Sequence, residues 1–220
     1  MKPDKKRLNA ASRLWISESL PWAAWLVAEQ LLLRARDIFF RWLFKAPGLH
    51  LGWGCILRGT KFIHFGRNVY AHGHLWLEAI VAHREQRFTP CVEIGDGVSF
   101  SEGVHISCVE KIVIGKNALL GSGVYISDHN HGLYNGPTQS HPEEAPVDRQ
   151  LGGGGPVSIG DNVWIGDNVV IVGPISIGRG AILGANSFVR EDVPNRTTVA
   201  GSPAKPVKRF DASTGQWERC

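Results

Sequence analysis

Aliphatic residues recur every six positions through the C-terminal half of the chain, without a break: Ile159, Ile165, Ile171, Ile177, Leu183 and Val189. The same spacing runs from Ile94 through Phe100 to Ile106, and glycine often follows such a residue. A helix would need apolar residues three and four apart, and a half-buried strand would need strict alternation. One inward residue every six positions instead predicts short strands joined by tight turns. Glycine and asparagine suit these turns because they tolerate positive φ.

The distances between repeats predict how many strands make up each coil of the chain. Ile159 and Ile177 are 18 residues apart, which is three six-residue strands, and Ile94 and Ile114 are 20 apart. Ile114 and Ile159 are 45 apart, so one coil carries 27 extra residues. Three strands per coil make a triangular prism whose stacked coils bury one continuous aliphatic core. We therefore predict a mainly β chain, a parallel β-helix of hexapeptide repeats, with one long interruption.

Ahead of the repeat, residues 21–44 have the pattern of an amphipathic helix, with Pro21 in its first turn and Pro47-Gly48 beyond its end. Its apolar face contains Trp25, Leu31, Leu32, Ile38, Phe39, Trp42 and Leu43. Its polar face contains Glu29, Gln30, Arg34, Asp37 and Arg41. The segment is too charged through its middle to span a bilayer. Two placements stay open for the apolar face: against the scaffold or a neighbouring subunit, or in a membrane surface.

These patterns divide the chain into three parts. Residues 1–47 form a basic, amphipathic helical extension, residues 48–207 form the β-helix with a loop excursion at 129–156, and residues 208–220 form a C-terminal tail. The excursion carries Asn135-Gly136 and a glycine run from Gly152 to Gly155. Loops this long in a compact domain are usually functional or disordered. We expect the excursion to lean over a neighbouring subunit and to close off a binding site.

Composition limits the classes of function. The net charge is only +4, and much of it comes from the N-terminal residues Lys2, Lys5, Lys6, Arg7 and Arg13, so no nucleic-acid partner is predicted. The four cysteines lack metal-binding spacing, which is typical of thiols in a reducing compartment. The basic start has no apolar segment of a secretory signal. We expect a cytoplasmic protein, at the inner face of the membrane if the helix binds lipid.

Ionisable side chains collect where the repeat stops, in the stretch Asp128-His129-Asn130-His131. A regular scaffold that is interrupted once, with ionisable groups at the interruption, is a candidate active site. Imidazole suits a general base because its pKa lies near neutrality. Asp128 could orient an imidazole, or it could simply cap the turn. His141, in the loop, is expected to be structural or exposed.

The repeat resembles the hexapeptide-repeat acyltransferases over roughly residues 51–207. The more specific segments are residues 158–166 (SIGDNVWIG), 128–132 (DHNHG) and 199–205 (VAGSPAK), which together look most like the saccharide and lipopolysaccharide O-acetyltransferase branch. The resemblance implies a left-handed β-helix, a homotrimer with sites between subunits, and acetyl-CoA as the co-substrate. It also implies acetyl transfer to a saccharide hydroxyl, in surface polysaccharide or lipopolysaccharide biosynthesis.

In enzymes of this family a histidine at the mouth of the extended loop is the general base. An ungapped match of the preceding coil puts that role on His131, and a slip of two residues would put it on His129. The resemblance also implies coenzyme A contacts at Trp164, Gly166, Gly184, Ala185, Ser187, Gly201, Ser202 and Lys205. Alternatively, these residues have no role in binding: the glycines only allow the chain to turn at the corners, and the lysine is exposed to solvent. Trp164, beside the inward Ile165, is expected to point outward.

Other functions fit parts of the pattern. The acceptor could instead be an amine, on an amino-sugar or an antibiotic, because the repeat pattern does not distinguish transfer to nitrogen from transfer to oxygen. A non-catalytic β-helix scaffold is a further alternative, against which the DHNHG and GSPAK segments argue. A metal site built from His105, His129 and His131 would resemble zinc-binding β-helices. Those sites include a histidine pair five apart, which these three lack, so no metal requirement is predicted.

Overall fold

The computed structural model describes residues 18–220 and shows a prism with three parallel sheets as its faces. Strands are numbered in chain order. The first sheet contains β1 (His50–Leu51), β4 (Tyr70–Ala71), β9 (Ser99–Phe100), β12 (Leu119–Leu120), β17 (Trp164–Ile165), β20 (Ile182–Leu183) and β22 (Thr197–Gly201). The second contains β2 (Ile56–Arg58), β5 (Trp76–Ala79), β10 (His105–Cys108), β13 (Tyr125–Ser127), β18 (Val170–Val172) and β21 (Phe188–Val189). The third contains β3 (Ile63–Phe65), β8 (Cys91–Ile94), β11 (Lys111–Ile114), β16 (Val157–Ile159) and β19 (Ile175–Ile177). A 3₁₀ turn spans Thr60–Phe62.

Strand register confirms the predicted coil lengths. Ile159 lies beside Ile177, and Ile94 lies beside Ile114. Ile114 pairs with Ile159 across the long interruption, so the coil resumes in register after it. The parallel β-helix predicted from the six-residue spacing is therefore the observed architecture.

The predicted inward positions form the core of the prism. Phe100, Ile106, Ile126, Ile165 and Ile171 are each at most 1% exposed. The other buried repeat positions are Phe65, Ala71, Leu77, Ile94, Ile114, Leu120, Ile159, Ile177, Leu183 and Val189. Stacking these side chains removes an apolar column from water, which is the main favourable contribution to folding.

Asparagines turn several corners of the prism, as predicted. Asn117, Asn162 and Asn168 have φ of 56°, 57° and 54°, a left-handed conformation that asparagine adopts more readily than most residues. The Asn117 Nδ2 donates to Asn162 Oδ1 of the next coil at 3.3 Å. Stacked corners are thus joined by side-chain as well as backbone hydrogen bonds.

Two hairpins project from the prism. One is formed by β6 (Ala82–His83) and β7 (Gln86–Arg87), and the other by β14 (Asn130–His131) and β15 (Leu151–Gly152), at the base of the long loop. The spacing of the repeat contains a signal of the first hairpin. Phe65 lies beside Ile94 although they are 29 residues apart, which is one coil with eleven extra residues.

The C-terminal segment extends the first sheet. β23 (Ala204–Asp211) turns back antiparallel to β22, and β24 (Gln216–Arg219) pairs antiparallel with β23. The expected boundary at residue 207 falls inside β23. Residues 208–220 therefore continue a hairpin in this structure and do not form a separate tail.

Helix α1 spans Leu20–Leu43 and includes Pro21 in its first turn, as predicted. The face that meets the scaffold carries Ala23, Leu26, Glu29, Leu33, Arg36, Asp37 and Phe40, all buried or half-buried. Within the helix, the predicted apolar face points the other way, with Trp42 74% and Ile38 67% exposed. The prediction that the apolar face packs against its own scaffold is therefore wrong. The opposite face of the helix, which carries both polar and apolar residues, packs there instead. The basic residues within 1–17 lie outside the described residues.

Candidate active site

Asp128 lies at the end of β13 and is completely enclosed, with 0% of its side chain exposed. Its Oδ1 accepts a hydrogen bond from the backbone N–H of Val109 at 2.8 Å. Its Oδ2 accepts from the N–H groups of Glu110 at 2.7 Å and Lys111 at 2.9 Å. The carboxylate therefore ties the start of the loop to the turn of the preceding coil, between β10 and β11.

The same carboxylate meets two further side chains. Oδ1 accepts from His129 Nδ1 at 2.9 Å, and Oδ2 accepts from Cys108 Sγ at 3.2 Å. Burial alone would raise the pKa of Asp128, but hydrogen bonds from His129, Val109 and Glu110 outweigh it and lower that pKa below its ordinary value. Burial, followed by the Asp128 charge, raises the pKa of Cys108 strongly, so this thiol stays protonated.

His129 lies inside the protein, with 5% of its side chain exposed. Since ionised Asp128 can only accept, His129 Nδ1 carries the proton and Nε2 is left as an acceptor. Ser127 Oγ donates to the His129 carbonyl at 2.8 Å and holds the backbone of this turn. The structure therefore brings the predicted Asp128 and His129 into direct contact.

His131 occupies an exposed position two residues further on, in β14. Its Nδ1 lies 3.2 Å from the carbonyl oxygen of Pro146. A carbonyl only accepts, so the proton again sits on Nδ1 and the Nε2 lone pair is free to accept another. The ring also meets the His83 ring edge-to-face, with centroids 5.8 Å apart.

The long loop is held against the β6–β7 hairpin of the same chain. Gln86 accepts from the Leu151 N–H at 2.8 Å and donates to the Leu151 carbonyl at 3.0 Å. His83 Nε2 lies 3.0 Å from the carbonyl of Arg149, and Arg84 pairs with Asp148. These hairpin residues were not predicted from the sequence, although the eleven-residue excess in their coil marks the excursion.

His105 lies on the outer face of the second sheet, half-buried rather than fully solvated. Its ring stacks on Trp76 at 4.3 Å between centroids, and it meets Tyr125 edge-to-face at 5.2 Å. Burial is the largest influence and lowers the pKa of His105, whereas the charge of Glu78 acts in the opposite direction. Its buried Nε2 has no hydrogen-bond partner among residues 18–220.

The glycines expected to contact coenzyme A stand at a corner after the first sheet. A Cβ on Gly166 would lie 2.7 Å from the backbone nitrogen of Ala185, so the next coil leaves no room for a side chain. A Cβ on Gly184 would lie 3.0 Å from the Ala200 Cβ. Stacking thus explains Gly166 even without a bound ligand. Ala185 is exposed at the same corner.

The remaining expected contacts lie on the last coils. Ser187 is buried, and its Oγ accepts from the Gly201 N–H at 3.1 Å. Lys205 pairs with Glu191 at 3.1 Å, and both side chains are largely exposed. Ser202 is exposed in the turn between β22 and β23. Trp164 points outward as expected and is 53% exposed.

The site residues thus fall on two faces of the prism. Asp128 and the histidines follow the second sheet, whereas Trp164 lies in the first. His141 is exposed in the loop, as expected. Within the described range, 18–220, no three His, Cys, Asp or Glu side chains are placed to hold a metal ion. In the same range no helix is long and apolar enough to cross a membrane.

Sequence comparison places this geometry in a family. The model "Bacterial transferase hexapeptide (six repeats)" matches residues 156–191, and "Hexapeptide repeat of succinyl-transferase" matches residues 107–128. A relative from Escherichia coli (strain K12) is provisionally named lipopolysaccharide biosynthesis O-acetyl transferase WbbJ. It is 32% identical over 184 residues, which are 84% of this chain and 90% of that protein. The chain belongs to the hexapeptide-repeat acetyltransferases, and its β-helix is left-handed as in that family.

Two further matches are more distant, one in sequence and one in fold. A probable acetyltransferase of Mycobacterium tuberculosis (strain ATCC 25618 / H37Rv), Rv3034c, is 28% identical over 221 residues, covering 97% of this chain and 66% of that protein. A solved structure of an AntD variant, an N-acyltransferase from Bacillus cereus, has a TM-score of 0.61 at 17% identity. That match covers 81% of this chain and 91% of the other, and the crystal holds dTDP-4-amino-4,6-dideoxyglucose and coenzyme A.

Proposed function

We propose that this chain transfers an acetyl group from acetyl-CoA to a saccharide hydroxyl, in lipopolysaccharide or surface polysaccharide biosynthesis. Membership in the acetyltransferase family and the name of the E. coli relative support this acceptor class. Coenzyme A in the AntD crystal supports the thioester donor. The four free cysteines fit a cytoplasmic setting.

His131 is our candidate for the general base, and the main support for it is the exposure and hydrogen bonding of its ring. The Pro146 carbonyl fixes the proton on Nδ1, which leaves the Nε2 lone pair available on an exposed ring. His129 has the same tautomer but is enclosed within a single chain, and assembly could only bury it further. A base must reach the proton that it removes. We therefore assign Asp128 and His129 to positioning the turn that carries His131.

The proposed reaction is direct transfer. The acceptor oxygen attacks the thioester carbonyl while His131 Nε2 takes the hydroxyl proton. The tetrahedral intermediate then collapses, the C–S bond breaks, and the imidazolium returns the proton to the coenzyme A sulfur. No covalent enzyme intermediate forms, so a ternary complex is required.

A homotrimer would bring the two sets of residues together. His131 follows the second sheet, and Trp164 stands on the first, so one copy's loop could face the next copy's Trp164. We propose that acetyl-CoA lies between copies along Gly166, Gly184, Ala185 and Ser187. Its phosphates would then lie near the turn that includes Gly201, Ser202 and Lys205.

The decisive measurement is thiol release from acetyl-CoA with a panel of saccharide acceptors. His131→Ala should lower turnover by about 10²–10⁴-fold, and free imidazole should restore part of it because the site is open. His129→Gln keeps a donor toward Asp128 and should retain activity within about tenfold of wild type. His141→Ala, in the same loop, is the matched control and should leave turnover unchanged.

Two results would overturn parts of this proposal. If His131→Ala stays active while folded His129→Gln loses activity, the base is His129. If the wild-type protein releases thiol only with amino-sugar acceptors, the reaction is N-acetylation. The AntD neighbour, an N-acyltransferase crystallised with an amino-sugar nucleotide, is the observation that keeps amines in the panel.

A further inference from the structure

The outer face of α1 carries only apolar residues across an arc of about 140° at 100° per residue. This outer face consists of Leu20, Ala24, Trp25, Ala28, Leu31, Leu32, Ala35, Ile38, Phe39, Trp42 and Leu43. Its large side chains are exposed, with Leu20 at 72% and Trp42 at 74%. Soluble proteins rarely leave so large an apolar surface in contact with water.

The opposite face of α1 fixes this orientation. Arg36 donates to the Gly52 carbonyl at 2.8 Å, and Arg41 donates to the Leu49 carbonyl at 2.9 Å. Asp37, 1% exposed, lies 2.6 Å from His50 Nδ1. These polar contacts need the helix in this rotation. Turning the outer face toward the prism would break all three, so the outer face needs an external partner.

Positive charge is concentrated in the N-terminal part of the sequence, which includes α1. Residues 1–45 contain nine Lys or Arg and four Asp or Glu, whereas the remaining 175 contain fifteen and sixteen. The excess positive charge therefore belongs entirely to the helix and the segment before it. Arg34 and Arg41 flank one edge of the outer face, and both are exposed.

We propose that the outer face of α1 docks on an anionic lipid bilayer, with the helix lying in the plane of the interface. Its apolar arc enters the acyl boundary, and indoles such as Trp25 and Trp42 suit the interface because they are amphipathic. Arg34, at the edge of the apolar arc, meets the lipid phosphates, and the basic residues that precede the helix in the sequence add to the attraction for an anionic surface. A partner copy would cover the apolar arc equally well, but it carries the same N-terminal excess of positive charge and so offers that charge no counterpart. This docking does not depend on the acyl-transfer reaction.

Flotation of the full chain with vesicles tests the proposal. We expect binding to vesicles of phosphatidylglycerol and phosphatidylcholine at least tenfold stronger than to phosphatidylcholine alone, with weakening at high salt. The triple variant Leu31→Glu, Ile38→Glu, Trp42→Glu should abolish binding. Because these side chains are exposed, its melting temperature should match that of wild type. The charge-matched control Gln30→Glu, Thr138→Glu, Gln216→Glu should still bind, since these exposed positions lie off the outer face.

Each contrary outcome has a defined meaning. Wild-type protein that fails to float with anionic vesicles overturns the proposal. So does equal loss of binding in both triple variants, since charge alone would then explain it. If the helix variant instead lowers the mass measured by light scattering, and wild type does not float, the outer face joins copies of this chain. Thiol release with a soluble acceptor is measured in parallel, so failure of docking is distinguished from failure of the enzyme.

Discussion

Asp128 Oδ1 accepts a hydrogen bond from His129 Nδ1 at 2.9 Å, although the two residues are adjacent in sequence. This contact requires the chain to turn sharply, and the backbone N–H groups of Val109, Glu110 and Lys111 hold the carboxylate in place for it. One enclosed anion thus joins the base of the long loop to the preceding coil. Because His131 follows two residues later, this contact helps to position it.

Asp128→Asn should destabilise the fold by about 3 kcal/mol, because an amide nitrogen would face backbone donors in a dry environment. Chemical denaturation monitored by circular dichroism measures the change. Asp161→Asn is the matched control: Asp161 Oδ1 accepts one hydrogen bond, from the Lys116 N–H at 2.8 Å, at a more open corner. It should cost less than about 1 kcal/mol. Equal losses in the two variants would contradict the special role of Asp128.

Gln86→Ala should loosen the long loop while leaving the prism intact. The substitution removes both hydrogen bonds to Leu151 and leaves the N–H of this buried residue unpaired, at a local cost of about 1–3 kcal/mol. Limited proteolysis should cut the loop faster, and the KM for the acceptor should rise more than kcat falls. In Gln139→Ala, which loses only a contact within the loop tip, cleavage should keep the wild-type rate. A wild-type proteolysis rate in Gln86→Ala would exclude this anchoring.

The prism was predictable because its cause is local and repeated. Each inward residue, such as Ile165 or Ile171, packs in the same apolar column. Each corner asparagine, such as Asn162, adopts the same left-handed backbone conformation. The six-residue period therefore carries the coil count, the register and the core. Even the irregular coils are encoded, since Ile114 and Ile159 pair across their extra residues.

The site was less predictable because it depends on contacts between segments far apart in sequence. Nothing near Asp128 indicates that Val109 and Lys111 donate to it, and nothing near Leu151 indicates Gln86, 65 residues earlier. The orientation of α1 shows the same limit. Its hydrophobic pattern located an apolar face, but the contact of Asp37 with His50 decides which face meets the prism.

Gly166→Ala should destabilise the β-helix by about 1–3 kcal/mol, because the new Cβ would lie 2.7 Å from the Ala185 backbone nitrogen. Gly184→Ala should cost less, since the nearest atom to its Cβ would be the Ala200 Cβ, at 3.0 Å, and the nearest backbone atom would be the Val199 carbonyl oxygen, at 3.4 Å. Thermal unfolding without substrate measures both variants. The comparison separates the steric need for glycine from any contact with coenzyme A. A larger loss for Gly184→Ala would contradict the coil-stacking explanation.

The stability of the protein should fall as pH drops below about 6.5, the ordinary pKa of histidine, in part because of His105. Burial lowers the pKa of this ring in the folded protein, so the unfolded chain takes up its proton first as the solution is acidified. The neutral ring packs between Trp76 and Tyr125, whereas a protonated Nε2 would need a partner at a buried position. Of the nearby ionisable groups, Glu78 opposes this effect and His129 reinforces it.

His105→Gln should therefore reduce the loss of stability between pH 7.5 and pH 5.5. The midpoint of denaturant unfolding, measured at several pH values, gives the slope for wild type and variant. His64→Gln, at an exposed position on the third sheet, is the control and should follow the wild-type slope. Parallel slopes for wild type and His105→Gln would show that other groups cause the acid sensitivity. A shallower slope confined to His105→Gln would assign it to this ring.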